Sequence, residues 1–476
     1  MKLAERTFHA QDQQRFAEVS GDWNPMHMDA LLARRTQAGA PVVHGIHLLL
    51  WALESLAASQ PELPPVRGIR AQFHKFIFVD EPAEVTLTQQ TARGVRLTIG
   101  VDGVFRSKVS VEFGEATAGT PDWAAGPLES IPFQQVAMDL SLEQIEGRSG
   151  RLEFPENPAE EAATIFPSAC RWLGAGSIVA LAASTRLVGM VCPGLHSIYS
   201  EIAVNSAAES ILQDGLAFRV TETDRRFRSV EQEIAGGGLV GTVRGFARNP
   251  PVAQATMASL AEVVSADEFA GSVALIVGGS RGLGELTAKL LAAGGATVIL
   301  TWQRGKVDAE RVAQEIQSAG GACHAMHYDA GAAAAPQLAA LSYAPTHAYY
   351  FATPSIFRPQ AEIFRKQRLD EFLAIYVHGF WELARALRQL NPKIALYYPS
   401  SVSVAERPEG MTEYTMAKAA GEVLCADINT SMAPMRVIVT RLPRLETDQT
   451  ATVTATESAS PIETVLPILR AMHGTE

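Results

Sequence analysis

The sequence has few cysteines, no apolar leader and no long uninterrupted apolar segment, and each absence excludes a class of protein. Its cysteines share no metal-ligand spacing; they are Cys170, Cys192, Cys323 and Cys425. The N-terminus lacks the apolar core of a signal peptide. The most apolar stretch, residues 173–192, contains Arg186 and many small residues, so we predict a buried helix there rather than a membrane span. We therefore expect a cytoplasmic protein with reduced thiols, no bound metal and no membrane partner.

Charge is also scarce, and it is mostly negative. Charged residues make up 19% of the 476 residues, and 40 Lys and Arg stand against 51 Asp and Glu, which gives a formal net charge of −11. This balance argues against nucleic acid as a partner. With 47% hydrophobic residues the chain is not disordered, and at roughly 100–200 residues per domain its length predicts two or three domains.

Two stretches rich in Gly, Pro and Ala divide the chain. They cover residues 115–132 and 249–271 and are typical of linkers. We therefore predict domains at residues 1–116, 132–250 and 271–476.

The first two domains each combine one apolar helix with β-rich runs. In the first, the helix spans Gly45–Ser59, and alternating apolar residues predict antiparallel strands at 68–79, 83–91, 95–101 and 107–113. In the second, a helix at about 178–190 precedes further β-rich runs, so the plan repeats weakly. A helix wrapped by an antiparallel sheet and used twice predicts an α+β double hot-dog. The third domain alternates β-rich and helical runs, which predicts an α/β doubly wound parallel sheet of the Rossmann type.

An aspartate and a histidine in the first domain suggest acid–base chemistry. Asp22 and His27 follow each other closely in a predicted loop, and a carboxylate and an imidazole can hold one water between them. Such a pair suits the addition or removal of water across a C=C bond. The alternative is that Asp22 caps a helix and His27 is an ordinary polar residue.

The surrounding residues resemble the MaoC-like (R)-specific enoyl-CoA hydratases. The family pattern S-G-D-x-N-P-x-H-x-D is matched from Ser20 to Asp29, and its G-x-P-V-x-H-G run is matched from Gly39 to Gly45. The resemblance implies that Asp22 and His27 are the catalytic dyad, oriented by Asn24. It also implies that the Gly45 N–H, at a helix N-terminus, binds the thioester oxygen. His44 and His47 are expected to be architectural.

The second domain lacks that pattern. His196 and Ser197 stand near its helix where the second landmark would be. We interpret this domain as a degenerate partner that completes a pseudo-dimer and shapes the acyl pocket.

The third domain contains a glycine-rich turn and a distant Tyr–Lys pair. The turn, residues 276–284, follows a predicted strand and opens a predicted helix, a context that suits a pyrophosphate at the helix N-terminus. Tyr414 and Lys418 lie one helical turn apart, and Ser401 ends a predicted strand upstream. A lysine so placed can lower the pKa of a phenol that exchanges a proton with a carbinol oxygen.

Together these features resemble the short-chain dehydrogenase/reductase family, and its acyl ketoreductase branch in particular. By this resemblance Tyr414 is the proton donor, Lys418 lowers its pKa and holds the ribose, and Ser401 binds the substrate carbonyl. The resemblance assigns cofactor binding to Gly278, Ser280, Arg281, Gly282, Leu283, Gly284, Arg304, Asp329, Tyr414, Lys418 and Thr447.

The cofactor is expected to be NADPH rather than NADH. An acidic residue after the second strand would bind the ribose 2′-hydroxyl and repel a 2′-phosphate, but residues 301–304 contain none. Arg281 and Arg304 lie nearby and suit the extra phosphate.

Three departures from the family pattern bear on this domain. The N-N-A-G run is replaced at residues 351–354, Tyr376 stands where an Asn is expected, and the P-G after the sixth strand is Pro443-Arg444. Each could weaken proton transfer or nicotinamide placement.

The two sites would catalyse consecutive reactions. We predict a bifunctional enzyme that reduces 3-oxoacyl thioesters of CoA or acyl carrier protein with NADPH and reversibly dehydrates the (R)-3-hydroxyacyl product to a trans-2-enoyl thioester. One alternative is a hydratase whose reductase-like domain is weakly active or a scaffold. Another is a non-catalytic module that binds acyl thioesters. A homo-oligomer is expected by analogy with reductases of the family.

Overall fold

The computed structural model describes residues 1–36, 38–208, 214–356, 363–447 and 458–474, which fall into two units. The described residues up to Pro250 form the first unit, and those from Pro251 onward form the second. Each unit has its own apolar core.

The described part of the first unit contains several helices and one sheet, which is antiparallel except where β6 pairs with β7. Its strands are β1 (Lys2–Thr7), β2 (Val66–Phe73), β3 (Pro82–Thr91), β4 (Gly94–Val101), β5 (Val104–Phe113), β6 (Ser130–Ile131), β7 (Ser149–Glu153), β8 (Ser197–Ser206), β9 (Gly215–Asp224), β10 (Ser229–Gly236) and β11 (Leu239–Ala247). Its helices are α1 (Ala10–Ser20), α2 (Pro25–Met28), α3 (Ala30–Ala33), α4 (Gly45–Ser59), α5 (Asp122–Ala125), α6 (Leu142–Ile145), α7 (Pro158–Ile165), α8 (Pro167–Leu173) and α9 (Ala175–Arg186). A π-helical segment, Leu187–Val191, continues α9.

The strand order shows a repeated plan within this sheet. The order is β1-β3-β4-β5-β2-β8-β11-β10-β9-β7-β6, so β1-β3-β4-β5-β2 is mirrored by β7-β9-β10-β11-β8. The two halves join through antiparallel pairing of β2 with β8, where Ile69 lies opposite Val204. The joining strand of each half follows its long helix, α4 or α9.

The two long helices are buried because they are apolar on nearly all sides. Helix α4 has the predicted bounds, and Leu49 and Leu53 on it are fully buried. On α9, Ala182 is equally buried, and all three side chains belong to one core shared by both halves. Among the described residues no single helix is long and apolar enough to cross a membrane; α8 with the helix that ends at Val191 reaches that hydropathy only as a pair bent by 112°.

Three sequence-based boundaries, one of a strand and two of linkers, differ from the structure. The strand predicted at 68–79 ends at Phe73, because the N–H groups of His74 and Lys75 both donate to the carbonyl of Arg106, which a regular ladder does not allow. The linker predicted at 249–271 contains a helix and buries Leu260 and Phe269 in the core of the second unit, so that unit begins earlier than residue 271. The linker predicted at 115–132 likewise contains α5 and β6.

The second unit is built on a parallel sheet. Its strands are β12 (Val273–Val277), β13 (Thr297–Trp302), β14 (Cys323–His327), β15 (His347–Tyr350), β16 (Ala395–Ser401) and β17 (Arg436–Leu442). Its helices are α10 (Met257–Leu260), α11 (Gly282–Ala293), α12 (Lys306–Ser318), α13 (Ala334–Leu338), α14 (Lys366–Leu373), α15 (Phe380–Leu390), α16 (Ser403–Glu406), α17 (Thr412–Ser431) and α18 (Pro461–His473). A π-helical segment, Ala374–Gly379, joins α14 to α15.

The order of these strands has a reversal point in the middle of the sheet. The order is β14-β13-β12-β15-β16-β17, with every pair parallel, and the chain reverses direction of travel across the sheet between β12 and β15. Two separate apolar cores lie against the sheet, one with α11, α12 and α18 and the other with α13, α15 and α17. This is the predicted doubly wound arrangement, in which ligands bind beyond the carboxyl ends of the strands at the reversal point.

Candidate active sites

The first candidate site lies on the loop between α1 and α2. Gly21 ends α1 with φ of 77°, a left-handed conformation that favours glycine, and this turn directs Asp22 into the interior. Asp22 is fully buried. Asn24, and not Asp22, caps α2, since its side-chain oxygen accepts from the N–H of Met26.

Two hydrogen bonds hold the Asp22 carboxylate. Its Oδ2 accepts from the Thr185 hydroxyl at 2.7 Å, and its Oδ1 accepts from the Asn24 N–H at 3.1 Å. Burial raises the pKa of Asp22, while His27, Thr185 and Asn24 act in the opposite direction. A carboxyl group in this environment can act as a proton donor or acceptor closer to neutral pH than an exposed one.

The His27 ring is fixed beside this carboxylate. Its Nδ1 lies 2.8 Å from the carbonyl oxygen of Val42, which can only accept, so Nδ1 donates and Nε2 is the ring nitrogen left for proton exchange. His44 stacks on it with ring centroids 3.8 Å apart and donates through Nε2 to the backbone oxygen of Asp22 at 3.1 Å. His44 therefore also contacts both residues of the predicted dyad, beyond the architectural role expected of it. His47 packs in the core, stacked on Phe16.

Asp22, His27 and Gly45 line one pocket. Gly45 is the first residue of α4, so its N–H has no partner within the helix. A Cβ atom there would lie 3.2 Å from the ring of Phe73, which also lines the pocket. The lining also includes Thr185 on α9 and Tyr199 on β8, which belong to the second half of the unit.

The second candidate site begins with the glycine turn between β12 and α11. Gly278 and Gly282 have φ of 83° and 58°, which favour glycine. A Cβ atom at Gly284 would lie 2.2 Å from the carbonyl oxygen of Gly278, so only glycine fits at this position. The N–H groups of Gly278 and Gly279 donate to the hydroxyl and the carbonyl of Thr301, which ties the turn to β13.

The structure brings Ser401, Tyr414 and Lys418 together. Ser401 ends β16, and its hydroxyl lies close enough to the phenol of Tyr414 on α17 to lower the pKa of that phenol. Burial raises the pKa of Tyr414 and the Ser401 hydroxyl opposes that rise, so the pKa lies above the ordinary phenol value rather than below it as the sequence suggested. Lys418 instead donates to the carbonyl of Pro399 at 2.7 Å, and burial lowers the pKa of its amine to about 7.

The other predicted cofactor residues lie around the glycine turn or beyond strand ends. Asp329 follows β14, and its Oδ1 accepts from Gln303 Nε2 at 2.9 Å. Arg304 is exposed just beyond β13. The remaining ones, in the turn, at the start of α11 and beyond β17, are Ser280, Arg281, Leu283 and Thr447.

Two family models match the chain at these sites. Residues 2–108 match the model described as a MaoC like domain, and residues 272–345 match the model of the short chain dehydrogenases. The chain carries a MaoC-like domain followed by a short-chain dehydrogenase domain. The first match includes Asp22, His27 and Gly45, and the second includes the glycine turn.

Solved structures similar to the chain include several short-chain dehydrogenases. A putative short chain dehydrogenase from Pseudomonas syringae is 20% identical with a TM-score of 0.40, covering 44% of this chain and 92% of its own. A 3-oxoacyl (acyl-carrier-protein) reductase from Agrobacterium tumefaciens C58 with NADP bound is 20% identical with a TM-score of 0.39, covering 42% and 87%. An alternative dihydrofolate reductase 1 from Brucella suis in complex with NADP is 18% identical with a TM-score of 0.34, covering 37% and 72%. No curated protein sequence matches the chain.

Two residues of the MaoC-like site escaped the sequence analysis. Thr185 binds the Asp22 carboxylate, and the carbonyl of Gly189 accepts from Asn24 Nδ2 at 2.7 Å. A Cβ atom at Gly189 would lie 2.5 Å from Asp22 Oδ1, so only glycine leaves room for the carboxylate. Asn24 therefore orients Asp22 through its backbone N–H, while its side chain joins the two halves of the sheet.

Proposed function

We propose that the protein is a bifunctional acyl-thioester enzyme. Its short-chain dehydrogenase domain reduces 3-oxoacyl thioesters with NADPH, and its MaoC-like domain reversibly dehydrates the (R)-3-hydroxyacyl product to a trans-2-enoyl thioester. The observation that carries the proposal is the buried Asp22 carboxylate beside His27 in a pocket that also contains the Gly45 N–H. The Ser401–Tyr414 pair beyond the parallel sheet supports the reductase activity.

In the MaoC-like domain, Asp22 and His27 exchange protons with the substrate and with one water. His27 and the buried carboxylate line the same pocket, where a ring nitrogen of His27 and a carboxylate oxygen of Asp22 lie within 4.8 Å of each other. The N–H of Gly45, at the positive end of the α4 dipole, binds the thioester oxygen as negative charge develops on it. This stabilises the enolate-like transition state through which hydration and dehydration both pass.

The second half of the sheet serves this same site. We propose that the two halves form a double hot-dog in which only the first retains the acid–base pair. The second half contributes Thr185 and Gly189, which bind or make room for Asp22. Its role is thus to position the carboxylate as well as to wall the acyl pocket.

The glycine turn of the second unit fits a nicotinamide dinucleotide. Among the described residues outside its own helix and its chain neighbours, no atom lies within 4 Å of a Cβ placed at Gly282, so there is space for a phosphate beside the start of α11, where helix N–H groups favour an anion. Arg304 beyond β13, where no acidic residue stands, favours NADPH. When bound there, NADPH would supply the hydride that reduces the 3-oxo carbon. Tyr414 gives its proton to the carbonyl oxygen, and Ser401 donates a hydrogen bond to that oxygen.

The proposal is tested by incubating the full chain with NADPH and a 3-oxoacyl thioester, carried in parallel by CoA and by acyl carrier protein. We expect oxidation of NADPH together with both 3-hydroxyacyl and enoyl thioesters in the products, identified by mass spectrometry. The preferred carrier follows from the relative rates. Hydration of an added enoyl thioester without NADPH oxidation would instead support a hydratase with a scaffold reductase domain, and binding without either reaction would support a non-catalytic module.

Replacement of Thr185 by valine should shift the pH dependence of hydration. The substitution removes the hydroxyl that binds Asp22 Oδ2 at 2.7 Å, so the pKa of Asp22 rises further. A hydrogen bond to a carboxylate corresponds to a shift of about one pKa unit. Because the ionised carboxylate is the working base, the acidic limb of kcat/KM should move to higher pH by about one unit, with activity recovering at alkaline pH. Thr185→Ser keeps the hydroxyl and should retain the wild-type limb; an unmoved limb in Thr185→Val contradicts the assigned role.

A further inference from the structure

The amine of Lys418 is enclosed by aromatic rings. Its Nζ lies 3.8 Å from the centroid of the Tyr376 ring, 5.0 Å from that of Tyr398 and 5.8 Å from that of Tyr414. Lys418 is 6% exposed, and its Nζ donates to the Pro399 carbonyl. A cation over an aromatic face at this distance is attracted by the quadrupole of the ring, most strongly where water is excluded.

We propose that Tyr376 is a positioning residue that holds the Lys418 ammonium against its ring and thereby keeps this lysine charged beside Tyr414. The proposal rests on the proposed reductase function and assigns to Tyr376 the place where the family pattern has Asn. The aromatic face stabilises the positive charge of the ammonium at this buried position, where neither a carboxylate nor bulk water does so.

The Tyr376 ring is fixed on several sides. It lies in the π-helical segment between α14 and α15 and is 1% exposed. The ring stacks on Phe372, with the two planes 7° apart. Its hydroxyl lies 2.5 Å from that of Thr353, which itself donates to the Pro354 carbonyl, so the Tyr376 hydroxyl is the donor in this pair. The ring cannot turn away from Lys418 without breaking these contacts.

The other groups that face Lys418 do not replace this contact. Glu422 lies on the same helix, but its carboxylate accepts two hydrogen bonds from Arg441 and one from Ser400. Burial raises the pKa of Cys425 to about 12, so its thiol is neutral. Burial lowers the pKa of Lys418, and Cys425 and Glu422 oppose this only in part. The two other tyrosines, Tyr398 and Tyr414, are neutral phenols at pH 7 because burial raises the pKa of both.

The inference is tested by NMR titration of the full chain with lysine labelled at Cε. The sequence has eight lysines, so Lys418→Arg identifies the signal. In Tyr376→Leu, which removes the ring, we expect the Lys418 pKa to fall by about one unit. In the matched control Tyr376→Phe, which keeps the ring and loses only the hydroxyl, it should stay within a few tenths of a unit. If the leucine variant does not fold, Tyr376→Met provides the same comparison.

The same variants give a second readout in the reductase assay. If the charged Lys418 is the working form, the basic limb of the NADPH oxidation profile should move to lower pH in Tyr376→Leu and stay in place in Tyr376→Phe. Equal Lys418 titration in wild type and Tyr376→Leu, or equal falls in the leucine and phenylalanine variants, would overturn the inference. The titration needs no turnover, so it is independent of the reductase assay. The expected fall of the Lys418 pKa in Tyr376→Leu, together with no NADPH oxidation by the wild type, would support the Tyr376–Lys418 contact and overturn the reductase function.

Discussion

Replacement of Asp22 by asparagine should lower kcat/KM for enoyl thioester hydration by about 10²–10⁴-fold, the range that a positioned general acid or base contributes. The amide has nearly the same size as the carboxylate. Its oxygen can still accept from the Asn24 N–H, and Thr185 can rotate its hydroxyl to accept from the amide nitrogen. The shape of the pocket is thus retained, whereas the proton transfer is lost. Hydration is measured as the loss of enoyl thioester, and dehydration as its formation.

Asp29 provides the matched control for this substitution. It belongs to the same sequence motif, but its side chain caps α3 by accepting from the N–H groups of Leu31 and Leu32. Asparagine is an equally good cap, so Asp29→Asn should keep hydration within a few-fold of wild type. NADPH-dependent reduction should be unchanged in Asp22→Asn, which shows that the chain is folded. Hydration within tenfold of wild type in Asp22→Asn, or an equal loss in Asp29→Asn, would contradict the assignment.

The parts of the fold and site that could be predicted from sequence are those set by short-range patterns. Helix α4 has its predicted bounds because residues 45–59 are apolar at almost every position and polar residues flank them. Asp22, His27 and Gly45 meet in one pocket because a short loop and a helix N-terminus carry them. The doubly wound sheet likewise follows from the alternation of strands and helices.

The parts that could not be predicted depend on contacts between distant segments. Thr185 reaches Asp22 only because β2 pairs with β8 and brings α9 beside α1, and a single threonine in an apolar helix gives no sign of this. The segment at 249–271 has the composition of a linker, yet Leu260 and Phe269 are enough to anchor it in the second unit. The average composition of a segment does not reveal one or two apolar residues that are buried in a core.

The pKa values were the least predictable property, because they depend on burial. A lysine one turn from a tyrosine suggests that the charge lowers the pKa of the phenol, but in the folded chain burial raises the pKa of Tyr414 and only Ser401 opposes that rise. The amine of Lys418 is itself so enclosed that its pKa falls to about 7. The spacing of the two residues therefore predicts that they lie close together, whereas the burial of their side chains decides whether each is charged.

Replacement of Tyr414 by phenylalanine should reduce NADPH oxidation with 3-oxoacyl thioesters by about 10²–10⁴-fold, because it removes the proton donor and leaves the ring. The raised pKa of Tyr414 keeps the wild-type phenol protonated throughout the neutral range, as a donor for carbonyl reduction must be. The loss should therefore be independent of pH below the ordinary phenol range. Turnover is followed as NADPH consumption, with hydration of an added enoyl thioester as the measure of the MaoC-like domain, which should be unaffected.

Tyr397→Phe is the matched control, since it also removes a buried hydroxyl. That hydroxyl forms a hydrogen bond with Thr440, and the mechanism does not use the Tyr397 side chain. It should keep NADPH oxidation within a few-fold of wild type. Adding Ser401→Ala to Tyr414→Phe should reduce NADPH oxidation little further than Tyr414→Phe alone, because Ser401 binds a carbonyl oxygen that no longer receives a proton. NADPH oxidation that survives in Tyr414→Phe would place the proton donor elsewhere. Additive losses in the double variant would mean that the two hydroxyls act on different steps rather than on one oxygen.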